Sequence, residues 1–160
     1  METLHERVRI QWLLRVGIAA AVVGVVASVA AAFFGDRLAD LGVPTLAPGV
    51  VLGVVVLAAG AWHTVVRYRD WWFELQDDAL YLERGVVTRV ETAVPYVRVQ
   101  HVDTQRTAFD RLLGLSRVVV YTAGSRGADV TIPGLPPDRA RRLRNELREL
   151  AVESEPEDAV

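Results

Sequence analysis

Two uncharged runs decide the fold: VGIAAAVVGVVASVAAAFFG at residues 16–35 and LGVPTLAPGVVLGVVVLAAGAWHTVV at residues 41–66, followed by a polar stretch that opens at Trp71. A bilayer core about 30 Å thick is crossed by roughly 20 apolar helical residues, each rising about 1.5 Å. Both runs reach that length, so the chain is expected to form a two-helix transmembrane hairpin ahead of a soluble domain. The expected spans are 13–34 and 48–66, joined by an external loop at 35–47 and preceded by a cytoplasmic segment at 1–12. Gly35 and Asp36 close the first span, and Pro48 suits the first turn of the second. An uncleaved helix is preferred to a signal peptide, because the first run exceeds the roughly 7 to 15 apolar residues of a signal core.

Flanking charges set the orientation. Arg7, Arg9 and Arg15 precede the first span and Arg67 and Arg69 follow the second, whereas the connecting loop carries Arg37 alone. The positive-inside rule then places both termini in the cytoplasm, in an inner or cytoplasmic membrane. Trp12, Trp62, Tyr68, Trp71 and Trp72 all fall at the ends assigned to that side, where amphipathic rings favour the headgroup layer. Trp71 and Trp72 serve equally well as the start of a core strand. Along the first span Ala20, Gly24, Ser28 and Ala32 recur every fourth residue, and the second offers Gly49 and Gly53 at the same spacing. Such stripes let helix backbones approach closely, within the hairpin or in a dimer.

After Trp71 the apolar period changes to two. Trp71, Phe73 and Leu75 alternate with polar positions, Asp77-Asp78 supplies a turn, and strand-like runs follow at 80–83, 86–94, 97–107, 117–122 and 128–132, with a loop at 124–127. The parity slips near Gln100-His101, which predicts a β-bulge. Pro136-Pro137-Asp138 then starts a helix whose Ala140, Leu143, Leu147 and Leu150 form one apolar stripe, with Arg139, Arg141, Arg142, Arg144 and Arg148 assigned to a solvated face. The soluble domain is expected over 71–152, and 153–160, with Glu153, Glu155, Glu157 and Asp158, as an acidic disordered tail.

Composition removes several chemistries. All eighteen Lys plus Arg residues are Arg and there is no Cys, which excludes thiol nucleophiles, zinc-thiolate sites, a P-loop and Schiff bases. His101 and Asp103 lack an evident third metal ligand, His63 has no intramembrane acid for a proton relay, and no serine sits in a nucleophile elbow. No catalytic residue, metal or cofactor is expected. Glu146 and Glu149 interrupt the arginines of the last helix, which argues against nucleic acid as a partner.

The run Ala93-Val94-Pro95-Tyr96-Val97-Arg98-Val99-Gln100-His101-Val102, then Arg111-Leu112-Leu113-Gly114-Leu115 and Val120-Tyr121-Thr122-Ala123-Gly124, resembles the bacterial pleckstrin-homology-like domain of the membrane-flanked domain family. The resemblance covers residues 71–150, and the two preceding helices match the small two-span members. It implies a pleckstrin-homology-like (PH-like) fold, a bent antiparallel sheet or partly open barrel capped by a C-terminal α-helix. It also singles out Pro95, Arg98, Gln100, Arg111 and Gly114 as family-motif residues, either binding surface or fold maintenance. Family members are often encoded beside a larger paralogue, which implies an interaction module in a membrane complex with that homologue or in a homo-oligomer. An accessory subunit of a transporter or stress-resistance system is the nearer alternative, and a membrane-bound enzyme the more distant one. Specific phosphoinositide recognition is not expected, because the first hairpin turn reads Gln76-Asp77-Asp78-Ala79 and its carboxylates repel phosphate. The bilayer itself is the expected lipid partner, through Arg67 and Arg69.

Overall fold

The computed structural model describes residues 1–40, 42–124 and 129–154, without the side chains of residues 36, 37 and 39. The expected loop at 124–127 beyond Gly124, the strand start at 128 and the tail from Glu155 lie outside the described residues. The chain divides into two compact units, Trp12–Val66 and a second that joins Met1–Gln11 to everything from Arg67 onward.

The first unit is the hairpin. Helix α1 (Arg7–Ala32) and helix α3 (Ala47–Arg69) are long and apolar enough to cross a bilayer, with the short α2 (Gly35–Asp40) between them where the sequence suggested only loop. Val25, Val26, Val50 and Val51 are each more than 60% exposed, as lipid-facing side chains of a membrane protein must be. The small-residue stripe packs the two helices together. A Cβ added at Gly24 would lie 3.2 Å from Gly49 O and one at Gly53 would lie 3.3 Å from Ala20 O, while one at Gly49 would collide with Ser28 Oγ and with Gly24 O. At Gly49 only glycine permits that approach, which in lipid replaces the missing hydrophobic drive by close van der Waals contact.

Among the described residues, the second unit contains two antiparallel sheets. One has the order β1-β2-β3-β4, with β1 (Glu2–Thr3), β2 (Trp72–Leu75), β3 (Ala79–Arg84) and β4 (Val90–Pro95). The other has the order β5-β6-β7, with β5 (Val99–Gln105), β6 (Ser116–Thr122) and β7 (Val130–Leu135). A single 3-10 turn, Tyr96–Arg98, joins the sheets at a corner, and α4 (Ala108–Leu112) connects β5 to β6. Helix α5 (Pro137–Glu153) packs on β5, β6 and the 3-10 turn, burying Ala140, Leu143 and Leu147, and Phe73, Leu80, Leu82, Val118, Val120 and Ile132 are buried with them in the core. This is a PH-like fold behind a two-helix hairpin, as the sequence led us to expect.

Several details depart from the sequence reading. Residues 86–89 form a loop and not the start of a strand, because Gly85 at φ 129° reverses the chain, leaving Val87 93% exposed at the tip. Residues 106 and 107 leave the expected long strand to begin α4, whose capping box the β pattern concealed. Trp71 is buried edge-on against Phe73, at 6.2 Å between ring centroids, so it belongs to the core. The bulge falls where the apolar parity slips, between Val99 and His101.

The larger departure concerns residues 1–12, read as a segment apart from the domain. Their first eleven residues are built into it. Glu2 pairs with Phe73 and Thr3 with Trp72, Leu4 and Val8 are 2% and 0% exposed, and His5 N donates to Gly134 O at 2.9 Å. Gly134, at φ 66°, is required here twice over, since a Cβ would also lie 2.7 Å from Val8 Cβ.

Candidate functional site

The five motif residues occupy the two ends of β5. Pro95 closes β4, the edge strand of its sheet, where the missing N–H breaks no ladder bond. Its extended backbone, φ −59° and ψ 136°, then starts the 3-10 corner. Tyr96, the first residue of that corner, is 1% exposed, and its hydroxyl donates to Gln76 O at 2.7 Å. Burial, together with the charges of Asp78 and Asp77, pushes that hydroxyl up to about 12. Arg98 and Gln100 point outward, beside Val97 at 58% exposure, and Gln100 is the extra residue of the bulge. Arg98 O accepts from Ala123 N at 2.8 Å, so its backbone is fixed while its side chain faces solvent.

Arg111 and Gly114 lie beyond the far end of β5, about 20 Å away along a strand that rises about 3.3 Å per residue. Arg111 is exposed in the last turn of α4. Gly114, at φ 66°, reverses the chain so that Leu115 N reaches Asp110 O at 2.7 Å and Leu115 enters the core. Five motif residues therefore make one exposed corner, Arg98 and Gln100 on a frame set by Pro95, and one separate turn.

Between α4 and the N-terminal segment sits a buried polar cluster that pattern reading missed. Asp110, 1% exposed, accepts from Gln11 Nε2 at 2.8 Å through Oδ1. Its Oδ2 accepts from Thr107 N at 2.8 Å, Thr107 Oγ1 at 2.7 Å, and Arg117 NH2 and Nε at 2.7 and 3.1 Å. Burial works to raise the Asp110 carboxyl, but the hydrogen bonds from Thr107, Gln11 and Arg117 outweigh it and hold the group below its ordinary 3.8. Thr107-x-x-Asp110 was the available signal, a capping-box spacing. A second clamp holds β1: Arg139 donates to Glu2 and to Glu146, and that hydrogen bond keeps the Glu2 carboxyl low. Arg139 is thus not on the solvated face that the helix pattern assigned to it.

A groove of about 570 Å³ runs between the start of β5 and the C-terminal half of α5. Val99, Gln100, His101 and Val102 form one wall, and Arg144, Arg148, Ala151 and Val152 the other. Arg144 is half-buried there. His101 stacks on Tyr121, with centroids 4.4 Å apart, and its Nε2 lies 3.2 Å from Asp103 Oδ2. Among the described residues, no group of three His, Cys, Asp or Glu side chains is arranged to hold a metal.

Two bilayer-length helices leading into two antiparallel sheets and a capping helix define a membrane protein with a PH-like domain. Over residues 13–151 the chain matches the family described as bacterial PH domain, and it belongs to that family. It is 33% identical over 86 residues to a UPF0699 transmembrane protein YdbS of Bacillus subtilis (strain 168), a match covering 54% of this chain and 52% of that protein. The similarity therefore spans about half the length of that relative. No solved structure gives a significant match.

Proposed function

We propose that this protein is a membrane-anchored, non-catalytic interaction module of the cell membrane, with both termini cytoplasmic, acting in a complex with a larger homologous membrane protein or with further copies of itself. The observation that carries the reading is the exposed corner: Val97, Arg98 and Gln100 face outward from a turn whose rigidity comes from Pro95 and Tyr96. Exposed side chains on a rigid frame have no core to maintain and are available to a partner. The acidic turn at Asp77-Asp78, exposed and next to Tyr96, disfavours a phosphoinositide as that partner.

Orientation draws on the same unit. Residues 1–11 and those from Arg67 onward belong to one compact unit, which supports placing both ends of the hairpin on one side, and the Arg excess at those ends favours the cytoplasm. The test of function is affinity purification of the full chain in mild detergent with mass spectrometry. A larger membrane protein of the same family, or a defined homo-oligomer, should co-purify with the wild type and be lost with Arg98→Ala at unchanged melting temperature. A lone monomer in both preparations would contradict the reading.

A further inference from the structure

The groove beside α5 has a feature that an ordinary surface cleft lacks. Its β5 wall is made by four consecutive residues, Val99 to Val102, with the bulge at Gln100 among them, and β5 is the end strand of its sheet. The groove therefore runs along the strand's edge. Among the described residues β5 pairs with β6 on one side only, so this edge presents backbone donors and acceptors to the groove. The opposite wall is one face of a helix, with Arg144 and Arg148 one turn apart and Val152 one turn further. No carboxylate lines the groove among the described residues, and Val97 and Val152 remain 58% and 65% exposed at its margins.

We infer that this groove is a docking site for an extended, acidic peptide segment of a partner protein, added as a strand to the edge of β5. The inference rests on the interaction-module reading and names its surface. Backbone pairing with β5 supplies register, carboxylates of the incoming segment meet Arg144 and Arg148, and alternate apolar side chains cover the exposed valines. The bulge at Gln100 twists the edge, which limits indiscriminate pairing with other strands.

The test uses the full chain in nanodiscs of zwitterionic lipid as bait for a random peptide library displayed on phage. Selected peptides should carry acidic residues alternating with apolar ones and should slow amide exchange at residues 99–102. Their affinity should fall about tenfold or more with Arg144→Glu plus Arg148→Glu. If that double variant unfolds, Arg144→Ala plus Arg148→Ala replaces it and should weaken binding with a flatter salt dependence. Failure to enrich acidic sequences, unchanged affinity in the variants, or no protection at 99–102 would overturn the proposal. So would protection of those amides by anionic lipid alone, or protection that grows with protein concentration, which assigns the groove to the membrane or to a second copy. If selection fails while a partner still co-purifies, this site is wrong and the module reading stands; a successful selection with no complex leaves the opposite result.

Discussion

Gln11 donates to Asp110 at 2.8 Å across 99 residues of chain, a buried hydrogen bond that ties the N-terminal segment 1–11 to the heart of the PH-like domain. The domain is consequently discontinuous in sequence. Its first strand, two core side chains and one partner of its buried carboxylate come from the residues that precede the membrane.

Loss of Asp110 should be among the most damaging single changes. Asp110→Ala leaves Arg117, Gln11 and the Thr107 N–H without their shared acceptor, and should cost about 3 kcal/mol or more. Gln11→Ala removes one neutral donor and should cost about 1 to 2 kcal/mol. Denaturant melts of the detergent-purified chain measure both, and equal small effects would show that the cluster does not hold the segment.

A pH dependence follows from the same carboxylate. The folded-state value of Asp110 lies below the unfolded 3.8, so its contribution to stability is full above 3.8 and declines as pH falls through the folded value. Melts of wild type and Asp110→Asn should therefore differ most at neutral pH and converge in acid. A difference that widens on acidification would reverse the assignment.

Expressed from Arg67 onward, the domain should be unstable alone and recover when residues 1–11 are supplied in trans or fused. Leu4 and Val8 are fully buried side chains, which together contribute about 3 to 6 kcal/mol. Circular dichroism and amide exchange with and without the segment decide it. A fully stable isolated fragment would make the N-terminal strand an ornament.

Within the hairpin, Gly49→Leu should separate α1 from α3, since even a Cβ at Gly49 meets Ser28 and the Gly24 carbonyl. Cross-linking between the helices should drop, while Val51→Leu, on an exposed position, should leave it unchanged. Equal behaviour of the two variants would deny the stripe its packing role.

Periodicity made the spans, the bulge and the closing helix legible, because long apolar runs and a stripe such as Leu143 and Leu147 state their burial in sequence. Leu147→Asp should accordingly cost roughly 3 kcal/mol or more, against less than about 0.5 kcal/mol for Arg144→Ala. What escaped is tertiary in origin. A two-residue strand at Glu2–Thr3 has no period to detect, and the Gln11–Asp110 bond joins positions that no local pattern connects. Arg139 likewise looked like its neighbours on α5 until Glu2 came beside it. The motif residues were identified by resemblance alone, and only the geometry separates the exposed Arg98 and Gln100 from the turn-forming Pro95 and Gly114.

Because the chain has no native cysteine, single-cysteine labelling in intact cells tests the central claim, that residues 1–11 and the PH-like domain are one body on one side of the membrane. Glu6→Cys and Val87→Cys, both on exposed positions, should resist a membrane-impermeant maleimide until the cells are opened, while Asp40→Cys should label from outside. Labelling of Glu6→Cys and Val87→Cys from opposite sides of the membrane would contradict the account outright.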